Sequence, residues 1–108
     1  MTATLPATLR TYFAATNRHD VNAMVAVFAD SAVVKDESVT HQGRVAIRRW
    51  MDDTISRYDV RVEPTAVAEH GGTTVVTGLV SGTFPGSPVE LRHAFTLDGD
   101  RIVRLEIG

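Results

Sequence analysis

The sequence predicts an α+β fold in which helices cover one face of a strongly curved, mainly antiparallel sheet. Apolar residues in the first half of the chain recur at steps of three and four, which is typical of amphipathic helices. After residue 60 the pattern changes to β-rich segments separated by short turns that contain glycine or proline. Helices in one block and consecutive strands in another favour separate layers, and a sheet bent around helices encloses a pocket.

Three helices are expected in the first half of the chain. Thr4 can cap the first helix, with Pro6 in its first turn, and residues 17–19 interrupt the pattern. Asp20 can cap the second helix, and the third should run from about residue 43 to residue 58. The inward-facing residues expected on the three helices are Leu5, Leu9, Tyr12, Phe13 and Thr16, then Val21, Met24, Val25 and Phe28, and then Ile47, Trp50, Met51, Ile55 and Tyr58.

Five strands are expected. A short β-branched segment precedes the third helix, and a loop that contains His41 connects the two. The later strands follow one another closely and should form an antiparallel meander. Pro64 indicates a bulge or an edge position, while Gly78 and Gly82 allow strong bending. The expected strands are residues 32–36, 60–70, 73–84, 89–97 and 101–107.

Composition indicates one soluble domain that spans residues 1–108. Hydrophobic residues make up 44% and charged residues 22% of the chain, as in ordinary globular proteins. The formal net charge of −2 argues against a nucleic-acid partner. The absence of cysteine fits a cytoplasmic location, and no signal peptide or membrane-spanning run is recognisable, so no membrane partner is expected.

Three polar side chains fall on apolar faces. Asp36 shares a strand face with Val34, Tyr12 lies on the inward stripe of the first helix, and His93 interrupts the apolar lane of residues 89–97. A carboxylate in an apolar interior beside hydroxyl or imidazole groups is a common preparation for acid–base chemistry. Simpler interpretations stay open: Asp36 as an exposed turn residue, Tyr12 as a core tyrosine, and His93 as a satisfied core histidine.

No pattern for a metal or a cofactor is recognisable. The four histidines lie more than twenty residues apart, so none has the spacing of a local ligand pair. The sequence contains no P-loop, no dinucleotide-binding glycine motif and no G-x-S-x-G elbow. We therefore expect neither a metal site nor a cofactor.

Residues 12–51 combine an aromatic first helix with the motifs N-x-x-D, FAD-S-A-V-V-x-D and G-x-x-A-I-R. With these features the segment resembles the opening of SnoaL-like, or NTF2-like, domains, and it is most similar to the ketosteroid isomerase branch. The resemblance implies a cystatin- or NTF2-like cone over nearly the whole chain. It does not specify a reaction, because this fold carries isomerases, cyclases, dehydratases, epoxide hydrolases and non-catalytic modules.

The resemblance assigns roles to three residues. Asp36 corresponds to the general base of the isomerases and Tyr12 to their oxyanion tyrosine. His93 replaces their third group, a protonated aspartic acid on a late strand. A Tyr–Asp–His set is similar to that of scytalone-type dehydratases, in which the histidine acts as acid or base. The expected substrate-pocket residues are Phe13, Val34, Trp50, Met51, Leu91 and Phe95.

These observations predict a pocket protein that transfers a proton next to a carbonyl of a small apolar or polycyclic ligand, as an isomerase, cyclase or dehydratase. The alternative is a non-catalytic ligand-binding or dimerisation module. An epoxide hydrolase ranks last because its carboxylate–arginine–carboxylate site would need Arg92 on the inner face.

A homodimer is expected, since a second copy commonly covers the outer face of such a sheet. The last strand should present an apolar lane of Val103, Leu105 and Ile107 opposite Ile102, Arg104 and Glu106.

Overall fold

The computed structural model describes residues 5–108, so the expected cap at Thr4 lies outside the described residues. The helices of this range are α1 (Ala7–Asn17), α2 (Val21–Ala26) and α3 (Gly43–Tyr58). The strands are β1 (Phe28–Asp36), β2 (Val39–Gln42), β3 (Arg61–His70), β4 (Thr73–Ser81), β5 (Val89–Asp98) and β6 (Arg101–Ile107). They form one sheet in the order β2-β1-β6-β5-β4-β3. Only the pairing of β1 with β6 is parallel among these strands, and the predicted α+β class is confirmed.

The helices pack their apolar stripes on one face of the sheet, as predicted. On α1, Leu9 is fully buried and Tyr12 and Phe13 are 3% exposed. On α3, Ile47 and Met51 lie in the same core, one turn apart. The predicted bounds of α3 agree with the observed ones, because its periodic pattern is long.

Asp20 caps α2 as predicted. Its Oδ1 accepts a hydrogen bond from the backbone N–H of Ala23 at 3.2 Å, which satisfies one of the free donors at the helix start. The helix is shorter than expected, however, and ends at Ala26. Phe28 therefore does not belong to α2: it begins β1, where it is fully buried.

The predicted loop around His41 is wrong, because residues 39–42 form the edge strand β2. His41 pairs with Val34 of β1 and is half-buried. The segment has little apolar periodicity of its own, so its strand conformation depends on hydrogen bonds to β1 rather than on a local pattern. The predicted end of β4 at residue 84 is also too late, since the strand stops at Ser81.

Two bulges bend the sheet. The register of the pairing with β4 shifts between Pro64 and Ala66 of the edge strand β3, as the proline predicted. A second shift, between Thr96 and Leu97 of β5, lets one extra residue of β6 intervene.

The second bulge overturns the predicted lanes of β6. Leu97 pairs with Ile102, but the preceding Thr96 pairs with Arg104, so Val103 is skipped. Ile102 is consequently fully buried on the same face as Leu105, where strict alternation had placed it opposite.

The turn between β1 and β2 holds two non-glycine residues in the left-handed region. Glu37 has a φ of 53° and Ser38 a φ of 65°, which a two-residue hairpin loop of the type I′ kind requires. Because this turn follows Asp36 directly, Asp36 is the last residue of β1 and pairs with Val39. The tight hairpin therefore fixes the position of Asp36 at the end of β1.

Replacing Ser38 with glycine should stabilise the protein. Glycine adopts a positive φ without the steric cost of a Cβ, so Ser38→Gly should raise the free energy of unfolding by about 1 kcal/mol in urea titrations. Ser56→Gly is the matched control, because Ser56 lies inside α3, where glycine should lower the free energy of unfolding by about 0.5 kcal/mol. A lower stability of Ser38→Gly than of the wild type would contradict the strained turn.

Candidate active site

Asp36 and His93 lie in one cross-strand row on the inner face of the sheet. Asp36 pairs with Ile107 of β6, and Ile107 pairs in turn with His93 of β5. Side chains of directly paired residues point to the same face, so both groups face the helices and one residue separates them. Strands from the first and the second half of the chain thus contribute to one row.

Tyr12 lies above this row, inside an aromatic cluster. Its ring meets those of Phe13, Phe28 and Phe95 edge-on, with centroids 5.2, 5.7 and 5.6 Å away. Burial raises the pKa of the Tyr12 phenol, a hydrogen bond with Thr16 opposes the rise, and the negative charge of Asp36 adds to it. The phenol therefore stays protonated and can donate a hydrogen bond.

His93 is also inside the protein, with 3% of its surface exposed. Its ring stacks on Phe95 at 6.4 Å and meets Phe13 edge-on at 5.7 Å. Burial lowers the pKa of the imidazole, while the backbone of Val76 and Leu91 and the charge of Asp36 partly offset this. The imidazole is consequently neutral at neutral pH.

The Nδ1 atom of His93 is buried without a hydrogen-bond partner in the described part of the chain. The ring lies over Gly78 of β4, where a Cβ would come within 3.2 Å of Cε1 of His93 and 2.7 Å of Cγ1 of Val62. Gly78 therefore provides room for the imidazole, a role beyond the bending that the sequence suggested. An orphaned polar atom of this kind is unusual in a core and marks the ring as a candidate for ligand contact.

Asp36 is half-buried at the edge of this interior. The indole Nε1 of Trp50 donates a hydrogen bond to its Oδ2 at 3.0 Å. The ring of His41 lies beside the indole, with centroids 6.0 Å apart and planes tilted by 32°. Trp50 was expected only as a wall and His41 only in a surface loop. The signal that sequence reasoning missed is that a partly buried indole N–H needs an acceptor.

Four of the expected pocket residues are packed in the core. Phe13, Val34, Met51 and Phe95 are at most 3% exposed, whereas Trp50 and Leu91 are half-buried. Two surface recesses lie in the described part of the chain, and neither is lined by Tyr12, Asp36 or His93. An enclosed substrate cavity among these residues thus stays a prediction.

The larger recess, of about 550 Å³, lies on the outer face of the sheet. Its floor includes small and β-branched side chains of β3, β4 and β5, among them Ala68, Val75 and Ala94. Arg92 and Glu106 lie at the same recess, so Arg92 is on the outer face, as predicted.

Within the described residues, no group of three or more histidine, cysteine, aspartate or glutamate side chains is arranged to hold a metal ion. No helix in that range is long and apolar enough to cross a membrane.

The lowered pKa of His93 should make stability depend on pH. Unfolded protein takes up the proton near pH 6.5, whereas the folded protein takes it up only at lower pH. The free energy of unfolding therefore falls by up to about 1.4 kcal/mol per pH unit below roughly pH 6.5. The fall ends at the pH where the imidazole of the folded protein is protonated as well. His93→Gln should show a flatter profile than the wild type in denaturant titrations between about pH 8 and pH 5.

His70→Gln is the control for this measurement, because His70 is exposed near the β3–β4 turn. Its profile should follow that of the wild type. Equal pH slopes for the wild type and His93→Gln would contradict a buried, neutral imidazole.

The chain is similar to known proteins in both sequence and structure. The sequence profile of the SnoaL-like domain matches residues 9–105. The structure of a proposed polyketide cyclase from Sinorhizobium meliloti is 42% identical, with a TM-score of 0.93 over 96% of this chain and 95% of that one. None of the curated proteins compared with the sequence matches it.

More distant structures show the fold alone. A protein with a ketosteroid isomerase-like fold from Catenulispora acidiphila, solved with trimethylamine, is 21% identical, with a TM-score of 0.84 over 97% of this chain and 86% of that one. An epoxide hydrolase/cyclase-like enzyme of pyran-ring formation in salinomycin is 22% identical, with a TM-score of 0.81 over 93% and 85% of the two chains. Because the family profile covers most of the sequence, the chain belongs to the SnoaL-like domain family and has its NTF2-like fold.

Proposed function

We propose that the protein is an acid–base enzyme that transfers a proton next to a carbonyl of a small apolar or polycyclic substrate. One observation carries the proposal: Asp36 and His93 both pair with Ile107 on the inner face of the sheet, and the rings of Tyr12 and His93 both contact Phe13 and Phe95. A half-buried carboxylate, a protonated phenol and a neutral imidazole therefore share one interior. This combination supplies a base, a hydrogen-bond donor and a group able to give or take a proton.

The first step uses Asp36 as the base. A carboxylate oxygen takes the proton from the carbon next to the carbonyl, the C–H electron pair forms a C=C bond, and the carbonyl π pair moves to oxygen. Tyr12 donates a hydrogen bond to this enolate oxygen, which is possible because its phenol keeps its proton. Hydrogen bonds of this kind act most strongly in an interior that excludes water.

The second step decides the product. In isomerisation, Asp36 returns the proton to another carbon. In cyclisation, the enolate carbon bonds to a second carbonyl carbon, whose oxygen then takes the proton. In dehydration, a hydroxyl on the neighbouring carbon leaves as water after protonation, and the enolate returns to a carbonyl. We assign this second proton transfer to His93, since a neutral imidazole can act as donor or acceptor.

One related protein supports cyclisation among these outcomes. The protein from Sinorhizobium meliloti, which is 42% identical to this chain, is a proposed polyketide cyclase. A flexible polyketide-like ketone is therefore the first substrate class to test. The expected cytoplasmic location stays a prediction.

A second candidate function is a non-catalytic ligand-binding module. It is favoured by the packed state of the interior, where Phe13, Val34 and Phe95 are almost fully buried and neither described recess reaches Asp36. In that case Tyr12 and His93 would orient a bound molecule at the edge of the core without any reaction.

Replacing Asp36 with asparagine separates the two functions. Asp36→Asn keeps the shape of the side chain and removes the base, so turnover should fall by a factor of about 100 or more. The measurement is exchange of the protons next to the carbonyl for deuterium in D₂O, followed by NMR, with polyketide-like ketones and steroid enones as substrates. This exchange reports proton abstraction even when the product is unidentified.

Asp98→Asn is the control for that experiment, because Asp98 is exposed at the end of β5, and this variant should exchange like the wild type. Unchanged exchange in Asp36→Asn would exclude Asp36 as the base. Ligand binding without exchange in the wild type and in Asp36→Asn would favour the binding module.

We also propose that a second copy of the chain covers the outer recess. The recess has a floor of small side chains, and its lining carries both Arg92 and Glu106. In a two-fold symmetric dimer each copy can place its arginine against the glutamate of the other. The side chains of Ala68, Val75 and Ala94 are small and not fully buried, which would allow two sheets to approach closely.

A bulky charge in the recess should break this dimer. Ala94→Arg would place a guanidinium on the floor, and sedimentation should show a shift from dimer to monomer. Ala14→Arg, on the exposed face of α1, should remain dimeric. A wild type that sediments as a monomer, or a dimer unaffected by Ala94→Arg, would contradict the proposed interface.

A further inference from the structure

We infer that Trp50 is a positioning residue, which holds the carboxylate of Asp36 in the orientation that proton abstraction requires. The inference rests on the proposed role of Asp36 as the base. It gives Trp50 a function that its expected place in the pocket wall does not include.

The contact involves one carboxylate oxygen. The indole Nε1 donates to Oδ2 of Asp36 at 3.0 Å, within the normal range for a hydrogen bond to a charged group. Among the described residues, Oδ1 of Asp36 accepts no hydrogen bond. The indole thus restrains one oxygen and leaves the other for the substrate proton.

The position of Asp36 explains why a restraint is useful. It is the last residue of β1, and the strained turn formed by Glu37 and Ser38 begins immediately after it. Its side chain is only half-buried, so packing alone leaves it several orientations. A misoriented base loses much of its rate, since proton abstraction depends on the alignment of the reacting atoms.

Trp50 itself is held on two sides. It lies on α3 beside Met51 and one turn after Ile47, both of which are buried in the core. The ring of His41 from β2 lies 6.0 Å from the indole ring, at a tilt of 32°. Helix α3 therefore sets the depth of the indole, and His41 limits its rotation.

A purely structural role for Trp50 is the competing explanation. A partly buried indole N–H needs an acceptor, and Asp36 would serve as one whether or not it acts as a base. The two explanations differ in what the loss of the N–H does to the chemistry. A positioning role predicts a slower reaction at unchanged substrate affinity, whereas a structural role predicts lower stability alone.

The hydrogen bond can be observed directly because Trp50 is the only tryptophan of the chain. The protein should show a single indole N–H signal by NMR, shifted downfield and in slow exchange with water. In Asp36→Ala this signal should move upfield and exchange faster, while in Asp98→Asn it should stay in place. An indole signal that is unchanged in Asp36→Ala would overturn the inference.

The kinetic test uses Trp50→Phe, which keeps an aromatic ring and removes the donor. In the deuterium-exchange assay kcat should fall about tenfold, with KM within a factor of two of the wild type. Tyr58→Phe is the matched control, because it removes a polar group from the same helix, and it should leave kcat unchanged. A second variant carries benzothienylalanine at position 50, where sulfur replaces the N–H and the ring shape is kept; it should lose the same rate even if Trp50→Phe folds poorly.

The outcomes separate this inference from the proposed function. An active wild type with equally active variants at position 50 would overturn the positioning role and leave Asp36 as the base. A wild type without exchange on any ligand would overturn the proposed function, and the role of Trp50 with it.

Discussion

The parallel pairing of β1 with β6 is the constraint on which the rest of the molecule depends. It joins the strand from the helical half of the chain to the last strand of the meander. Without this ladder, Asp36 and His93 would belong to separate parts of the molecule. With it, both pair with Ile107, and their side chains face the same interior. Backbone hydrogen bonds therefore bring two groups of the candidate site into one row, and the helices add Tyr12 of α1 and Trp50 of α3 to it.

Burial keeps the side chains of Tyr12 and His93 uncharged. The same loss of solvent raises the pKa of the Tyr12 phenol and lowers that of the His93 imidazole, because in each case the charged form is disfavoured. Asp36 lies at the end of β1 and is only partly buried. The indole N–H of Trp50 replaces part of the hydrogen bonding to water that its carboxylate loses. The candidate site thus combines one partly solvated carboxylate with two groups that the aromatic core keeps uncharged. This arrangement suits proton transfer, because the carboxylate can accept a proton and the two uncharged groups can donate one.

Local patterns predicted much of this structure. Asp20 caps α2 because a cap needs only the next three residues, and α3 follows from a periodic stripe sixteen residues long. The apolar lane that contains His93 was also predicted correctly, because inward and outward side chains alternate along β5 as far as its bulge. The failures have a common cause. Strand β2 and the burial of Ile102 depend on hydrogen bonds to a neighbouring strand, and a single sequence does not show which partner or register that strand will take.

The sequence by itself determined the family, the helices, the meander and the three polar residues that fall on apolar faces, since each depends on short-range periodicity or on a motif. Only the tertiary structure decided that His93 is neutral, that Gly78 makes room for it, and that Trp50 binds Asp36. The physical reason is that desolvation, close contact and hydrogen bonding depend on atoms brought together from distant parts of the chain. Asp36 and Trp50 are 14 residues apart in the sequence, and they form a hydrogen bond only because α3 packs against β1.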